Sequence, residues 1–120
     1  MSKQTYWKTI GKKRDLVPGS GVGARLGKCQ IALFWIPDMD DRVFAINNYC
    51  PFSGVHILAR GIVGDVEGEP VVATPLYKQH FSLIDGRCIE HDDVAVDAWE
   101  ARFEGDEVQV QVSEADELAA

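Results

Sequence analysis

The sequence predicts a mostly-β domain, a β-sandwich or small barrel, on three observations. Apolar residues alternate at period two along most of the chain. Glycine-containing turns cut these runs into many short strands. Helical periodicity is weak throughout. The length of 120 residues suits a single domain, 1–120. That is enough chain to bury a core without disulfides or metal as staples.

The elements follow in order. Residues 1–5 have no apolar run behind them, so no signal peptide is expected. No stretch is long and apolar enough to span a bilayer. Residues 11–15 allow at most one helical turn. Residues 18–27 are glycine-rich and invite a phosphate-loop reading. The nucleotide fingerprint, however, wants Gly-x-Gly-x-x-Gly between a strand and a helix. Here Gly21 and Gly23 are followed by Leu26, with Gly27 one place late. A strand follows, so there is no helix N-terminus to receive a pyrophosphate. The expectation is a flexible turn leading into that strand.

Cys29, Ile31, Leu33 and Trp35 fall on one side of the next strand, and Gln30, Ala32, Phe34 and Ile36 on the other. Both sides are largely apolar, which predicts a central strand covered on both faces. Arg42–Asn47 is a second strand. Val71-Val72-Ala73 and residues 80–84 are two more, the latter closed by an Asp85-Gly86 turn. Trp99, Ala101 and Phe103 alternate on another. Glu104-Gly105-Asp106 then reverses the chain into Val108, Val110 and Val112, a clear hairpin. The tail, 113–120, adds a turn of helix or frays.

The net charge of −7 argues against nucleic acid as a partner. Residues 1–60 carry nine Lys/Arg against four Asp/Glu, and residues 61–120 carry three against fifteen. Acidic blocks are commonly solvated strand faces. The sharper reading is a docking surface for a basic patch. Cys29, Cys50 and Cys88 are odd in number and irregularly spaced. With no export signal, reduced thiols in a cytoplasm are expected, and a Cys50–Cys88 disulfide is a minor alternative.

Two segments carry the chemistry: Cys50-Pro51-Phe52-Ser53, and the run from Thr74 and Pro75 through Leu76, Tyr77, Lys78, Gln79 and His80 to Phe81. A Rieske centre needs two thiolates on one iron and two imidazoles on the other. These come from loops of the form Cys-x-His and Cys-x-x-His. Here the first loop reads Cys50-x-Phe52. Aligning the second on Phe81 and the Asp85-Gly86-Arg87 turn gives Thr74-x-x-Tyr77. One ligand of the four remains. Phe52 has no donor atom, Thr74 offers a hydroxyl in place of a thiolate, and Tyr77 a phenol in place of an imidazole.

With residues 58–64, 68–73 and Cys88, these segments resemble the small subunit of bacterial NAD(P)H-dependent nitrite reductase. The resemblance covers residues 7–112 and is most specific over 76–81. It implies a Rieske-like fold, with a β-sandwich or small barrel core and a smaller loop-built subdomain at about residues 49–85. It implies a cytoplasmic, non-catalytic subunit with no cofactor of its own. The partner would be a large catalytic subunit, with FAD, an iron-sulfur cluster and sirohaem, that reduces nitrite to ammonia. Phe52 and Tyr77, with Pro51 and Pro75, would fill the vacated cluster space, since an empty cavity is costly. The cluster-covering loops would meet the partner, through Arg60, Lys78 and His80.

Other readings compete. Cys50 could be a nucleophile with His56 or His80 as base. A lone cysteine at a loop base is by default a small buried residue. Cys50, His56, His80 and Cys88 have acceptable metal-ligand types, but their spacing matches no compact zinc pattern. For the whole chain the alternatives are a Rieske-type ferredoxin with unusual ligands and a stand-alone β interaction module.

Overall fold

The computed structural model describes residues 5–75 and 79–113. The strands are β1 (Thr5–Lys12), β2 (Gly21–Leu26), β3 (Cys29–Ile36), β4 (Arg42–Asn47), β5 (Tyr49–Cys50) and β6 (Val55–His56), then β7 (Ile62–Val66), β8 (Glu69–Ala73), β9 (His80–Ser82), β10 (Ala98–Trp99), β11 (Ala101–Glu104) and β12 (Glu107–Ser113). They form four antiparallel sheets, ordered β1-β12-β11, β10-β4-β3-β2, β5-β6 and β7-β8-β9. The fold is mostly β, as the alternation predicts.

β3 pairs with β2 on one side and β4 on the other, which makes it central. Its alternate residues feed two cores. Ile31 and Leu33 pack with Leu26, Val43, Ala45, Val108, Val110 and Val112 between the two larger sheets. Ala32 and Phe34 pack on the opposite face with Phe44, Ile46, Cys50, Leu58, Val72, Phe81, Leu83 and Cys88. This second core joins the sandwich to the segment carrying β5 to β9. Val94 and Val96 also pack on it, so the layer extends past residue 85.

The single helical turn allowed over residues 11–15 is a 3-10 turn at Lys13–Asp15, while Gly11 and Lys12 belong to β1, opposite Val108 and Glu107. Two local expectations are corrected. Gly21–Leu26 is a regular strand rather than a flexible turn. Glycine is needed at Gly21 because a Cβ would collide with the Ala59 carbonyl and lie 2.7 Å from the Phe34 ring. The run from Trp99 to Phe103 is two strands. Ala98–Trp99 pairs with β4, and Ala101–Glu104 with β12. The chain turns a corner at Glu100 and passes from one sheet to the other.

The β11–β12 hairpin closes on Glu104 opposite Glu107, with Gly105 at φ +61. β9 is shorter than residues 80–84. The Leu83 N–H donates in register to the Pro70 carbonyl at 2.9 Å, but Pro70 has no N–H to return, and the ladder ends there. Gly86 then sits at φ +79 beneath the Val96 carbonyl, a place only glycine fits.

Candidate functional site

The loop after β5 and the turn after β9 meet at one end of the second core, where Phe52 packs on Phe81 and His91. Asn48, nearly fully buried, organises the first loop. Its side-chain oxygen accepts the Ala59 N–H at 2.7 Å, and its carbonyl accepts the Leu58 N–H at 3.0 Å. That fixes the 3-10 turn Leu58–Arg60 and leaves Arg60 exposed at its end.

Cys50 lies on β5 with no exposed surface, enclosed by the apolar core that also holds Cys88. Both are free cysteines. With no solvent access, Cys50 is not placed to act as a nucleophile. Burial pushes the Cys88 thiol up, against the opposing effect of hydrogen bonds from the backbone at Glu90 and His91.

Phe52 is mostly but not fully buried. Its ring centroid lies 6.0 Å from that of Phe81 and 5.1 Å from that of His91. Pro51 and Pro75 are exposed, so neither fills the space between the loops. The Ser53 hydroxyl is buried without a hydrogen-bond partner among the described residues. Thr74, 2% exposed, closes the base of the second loop. Its N–H donates to the Gln79 carbonyl at 2.8 Å, and its hydroxyl lies 3.5 Å from the Gln79 side-chain oxygen. Tyr77 and Lys78 lie outside the described residues.

His80 is clamped by Glu90. Its N–H donates to one carboxylate oxygen at 2.8 Å, and its Nδ1 lies 2.6 Å from the other. Burial raises the Glu90 pKa, but the hydrogen bonds and charge of His80 outweigh it, and the carboxyl sits below its ordinary range. Ile89 N–H donates back to the His80 carbonyl. His56 instead packs its ring against Tyr49, centroids 5.3 Å apart, on the separate β5–β6 hairpin. Among the described residues, no three His, Cys, Asp or Glu side chains are grouped to hold a metal. Cys50, His56, His80 and Cys88 are not brought together as a ligand set.

The turn after β9 is held by charge. Arg87 donates to Asp85 at 2.9 Å and to Glu69 at 3.0 Å, and Ser82 donates to Glu69 from below. Sequence reasoning missed Asn48, Glu90 and His91. For Glu90 a signal existed. It lies about as far beyond the Asp85-Gly86 turn as His80 lies before it, and a tight reversal brings such residues opposite one another.

At the expected ligand positions, the described residues do not make a 2Fe-2S donor set. Of the described ligand positions only Cys50 offers a thiolate, Phe52 offers a ring already packed on two neighbours, and Thr74 offers a hydroxyl turned to Gln79.

Residues 6–111 match the family model of the Rieske-like 2Fe-2S domain. The chain is 44% identical over 107 residues to the nitrite reductase (NADH) small subunit of Escherichia coli K12, covering 89% of this chain and 98% of that one. It is 42% identical over 104 residues to a nitrite reductase NAD(P)H large subunit of Klebsiella oxytoca, of which it covers 11%. Among solved structures it is similar to an NADH-dependent nitrite reductase small subunit from Mycobacterium tuberculosis, with TM-score 0.81 and 38% identity over 91% of this chain and 96% of that one. The ferredoxin of carbazole 1,9a-dioxygenase from Nocardioides aromaticivorans, at 19% identity and TM-score 0.72 over 87% and 95%, shares the fold. The two-core β architecture, the match to the Rieske-like domain and 44% identity over 89% of the chain together place it in the nitrite reductase small-subunit family of Rieske-like domains.

Proposed function

We propose that the chain is the small, non-catalytic subunit of an NAD(P)H-dependent nitrite reductase, binding and stabilising the large subunit in the cytoplasm without a redox centre of its own. The observation that carries this is the state of the ligand positions. Cys50 is sunk in an apolar core, Phe52 packs on Phe81 and His91, and Thr74 bonds to Gln79. Side chains already engaged in packing and hydrogen bonds leave the loops held together by ordinary protein contacts. Loops on a rigid β scaffold are then free to serve binding.

The Klebsiella oxytoca relative supports the partnership, since its matching segment lies within a polypeptide named as a large subunit. On this reading FAD, the iron-sulfur cluster and sirohaem belong to the large subunit, which reduces nitrite to ammonia in nitrate assimilation. On the same reading Arg60, Lys78 and His80 are the polar groups that meet it. His80 does so with its imidazole already oriented by Glu90.

The test is co-purification from cells grown on nitrate or nitrite, with iron, sulfide and flavin assays of each chain. The expected result is a flavin- and haem-bearing partner together with a colourless small chain. Near-stoichiometric iron and sulfide with charge-transfer bands in the small chain would make it a ferredoxin. Recovery of no such partner would leave a stand-alone module.

A further inference from the structure

We infer that the cleft between the β7–β8 hairpin and the turn after β3 is a docking site for an extended, basic segment of the large subunit, which adds to the open edge of β7 as a further strand. This deepens the reading above and rests on it.

The cleft encloses about 580 Å3. Ile36, Met39 and Val63 supply apolar wall together with three prolines, and Asp38 and Asp65 are the only titratable side chains in the lining. Prolines donate no N–H, and carboxylates only accept. The lining therefore favours a ligand that brings donors and positive charge on an apolar body. A lysine or arginine with its aliphatic stem meets both demands.

Among the described residues, the strand beside the cleft is open. Val66 pairs with Glu69 across the two-residue loop Glu67-Gly68, whose φ values are 51 and 86. Two positive φ values mark the turn type that matches strand twist, and the pair flanking such a loop is hydrogen-bonded. Pairing alternates from there. Ile62, Gly64 and Val66 bond to β8, while Val63 and Asp65 turn their N–H and C=O groups outward. Pro70, which has no N–H to give, stands opposite Asp65, as this register requires. Among the described residues β7 has only β8 as a strand neighbour, and no backbone bond reaches its outer edge.

Natural proteins blunt such edges with charge, proline or a covering segment. The edge strand β2 has the turn at Leu58–Arg60 packed closely on it at Gly21. β7 instead carries Ile62, 76% exposed, and its single charge is Asp65. An extended segment paired to β7 sends every second side chain to the face shared by Val63, Asp65 and Pro70, which is the face lining the cleft. Main-chain bonds to Val63 and Asp65 would supply affinity, and the acidic apolar cleft would select the side chains. A second copy of the chain is the poorer occupant. It carries net charge −7 and would bring another Asp65-bearing edge against this one.

The test uses the full chain and the nitrite reductase large subunit. Amide exchange at Val63 and Asp65 is measured in the free chain and in the complex, beside affinities for Asp38→Lys and Gly64→Arg. An added Cβ at Gly64 meets nothing within 4 Å, so that variant should fold with the parental melt. The expected result is slowing of both amides by about tenfold or more in the complex, and a loss of affinity of the same order in each variant. A complex in which both amides exchange as in the free chain, with parental affinity in both variants, refutes the docking and leaves the partnership standing. Failure of the parent to form any complex refutes the partnership and this inference with it. A dimer of the chain alone that protects the same amides makes the occupant a second copy and overturns the assignment.

Discussion

Truncating Phe52 to alanine measures how the space between the two loops is filled. A fully buried phenylalanine costs ~3–5 kcal/mol on truncation to alanine. Phe52 is mostly but not fully buried, and its ring centroid lies 6.0 Å from that of Phe81 and 5.1 Å from that of His91. The transfer and cavity cost is reduced in proportion, to ~2–4 kcal/mol, which already includes the tilted aromatic pairing. Phe81, with no exposed surface, should cost the full amount in the same substitution, ~3–5 kcal/mol. Urea unfolding of both variants against the parent, with m-values compared, gives the two numbers directly. A thermal melt should fall by roughly 3–5 °C per kcal/mol for a domain of this size. A cost for Phe52→Ala below ~0.5 kcal/mol, the range of an ordinary surface change, would refute this seating of the ring. So would a cost equal to that of Phe81→Ala, which would mean the ring is as enclosed as the core.

Gly86→Ala should destabilise by ~2 kcal/mol or more, because φ +79 strains an alanine and its Cβ runs into the Val96 carbonyl; a parental melting temperature would contradict this. Glu90 has a folded-state pKa below its ordinary value of 4.5, so its contribution is present above that pH and is lost as pH falls through the lower folded value. The difference in melting temperature between parent and Glu90→Gln should therefore shrink as acid is added, and a difference that grows on acidification would reverse the assignment. Arg60→Glu and Lys78→Glu should weaken binding of the large subunit, with Arg60→Glu melting as the parent does, since Arg60 is exposed. Unchanged affinity for both reversals would move the contact surface to the acidic second half of the chain.

The sequence by itself determined the fold class and the central elements. β3 and β4 were legible because alternation of apolar residues reports which faces are buried, and β3 is buried on both. The β11–β12 hairpin was legible because Gly105 sits where a turn needs positive φ. That Phe52 brings no metal donor was legible too, because it holds wherever the residue is placed. The tertiary structure decided what depends on neighbours distant in sequence. β1 was invisible because its pairing with β12, about a hundred residues away, stabilises it more than any pattern of its own. β2 read as a turn because glycine marks both flexible loops and close backbone approach, and only the position of Ala59 distinguishes them. The corner at Glu100 is set by which sheet has room for each half-strand. The His80–Glu90 clamp, the seating of Phe52 on His91 and the open edge of β7 likewise arise from chain reversals and sheet order. Local propensity favours a strand or a turn, but which side chains meet across a turn, and which edge is left unpaired, is fixed only when the whole chain is packed.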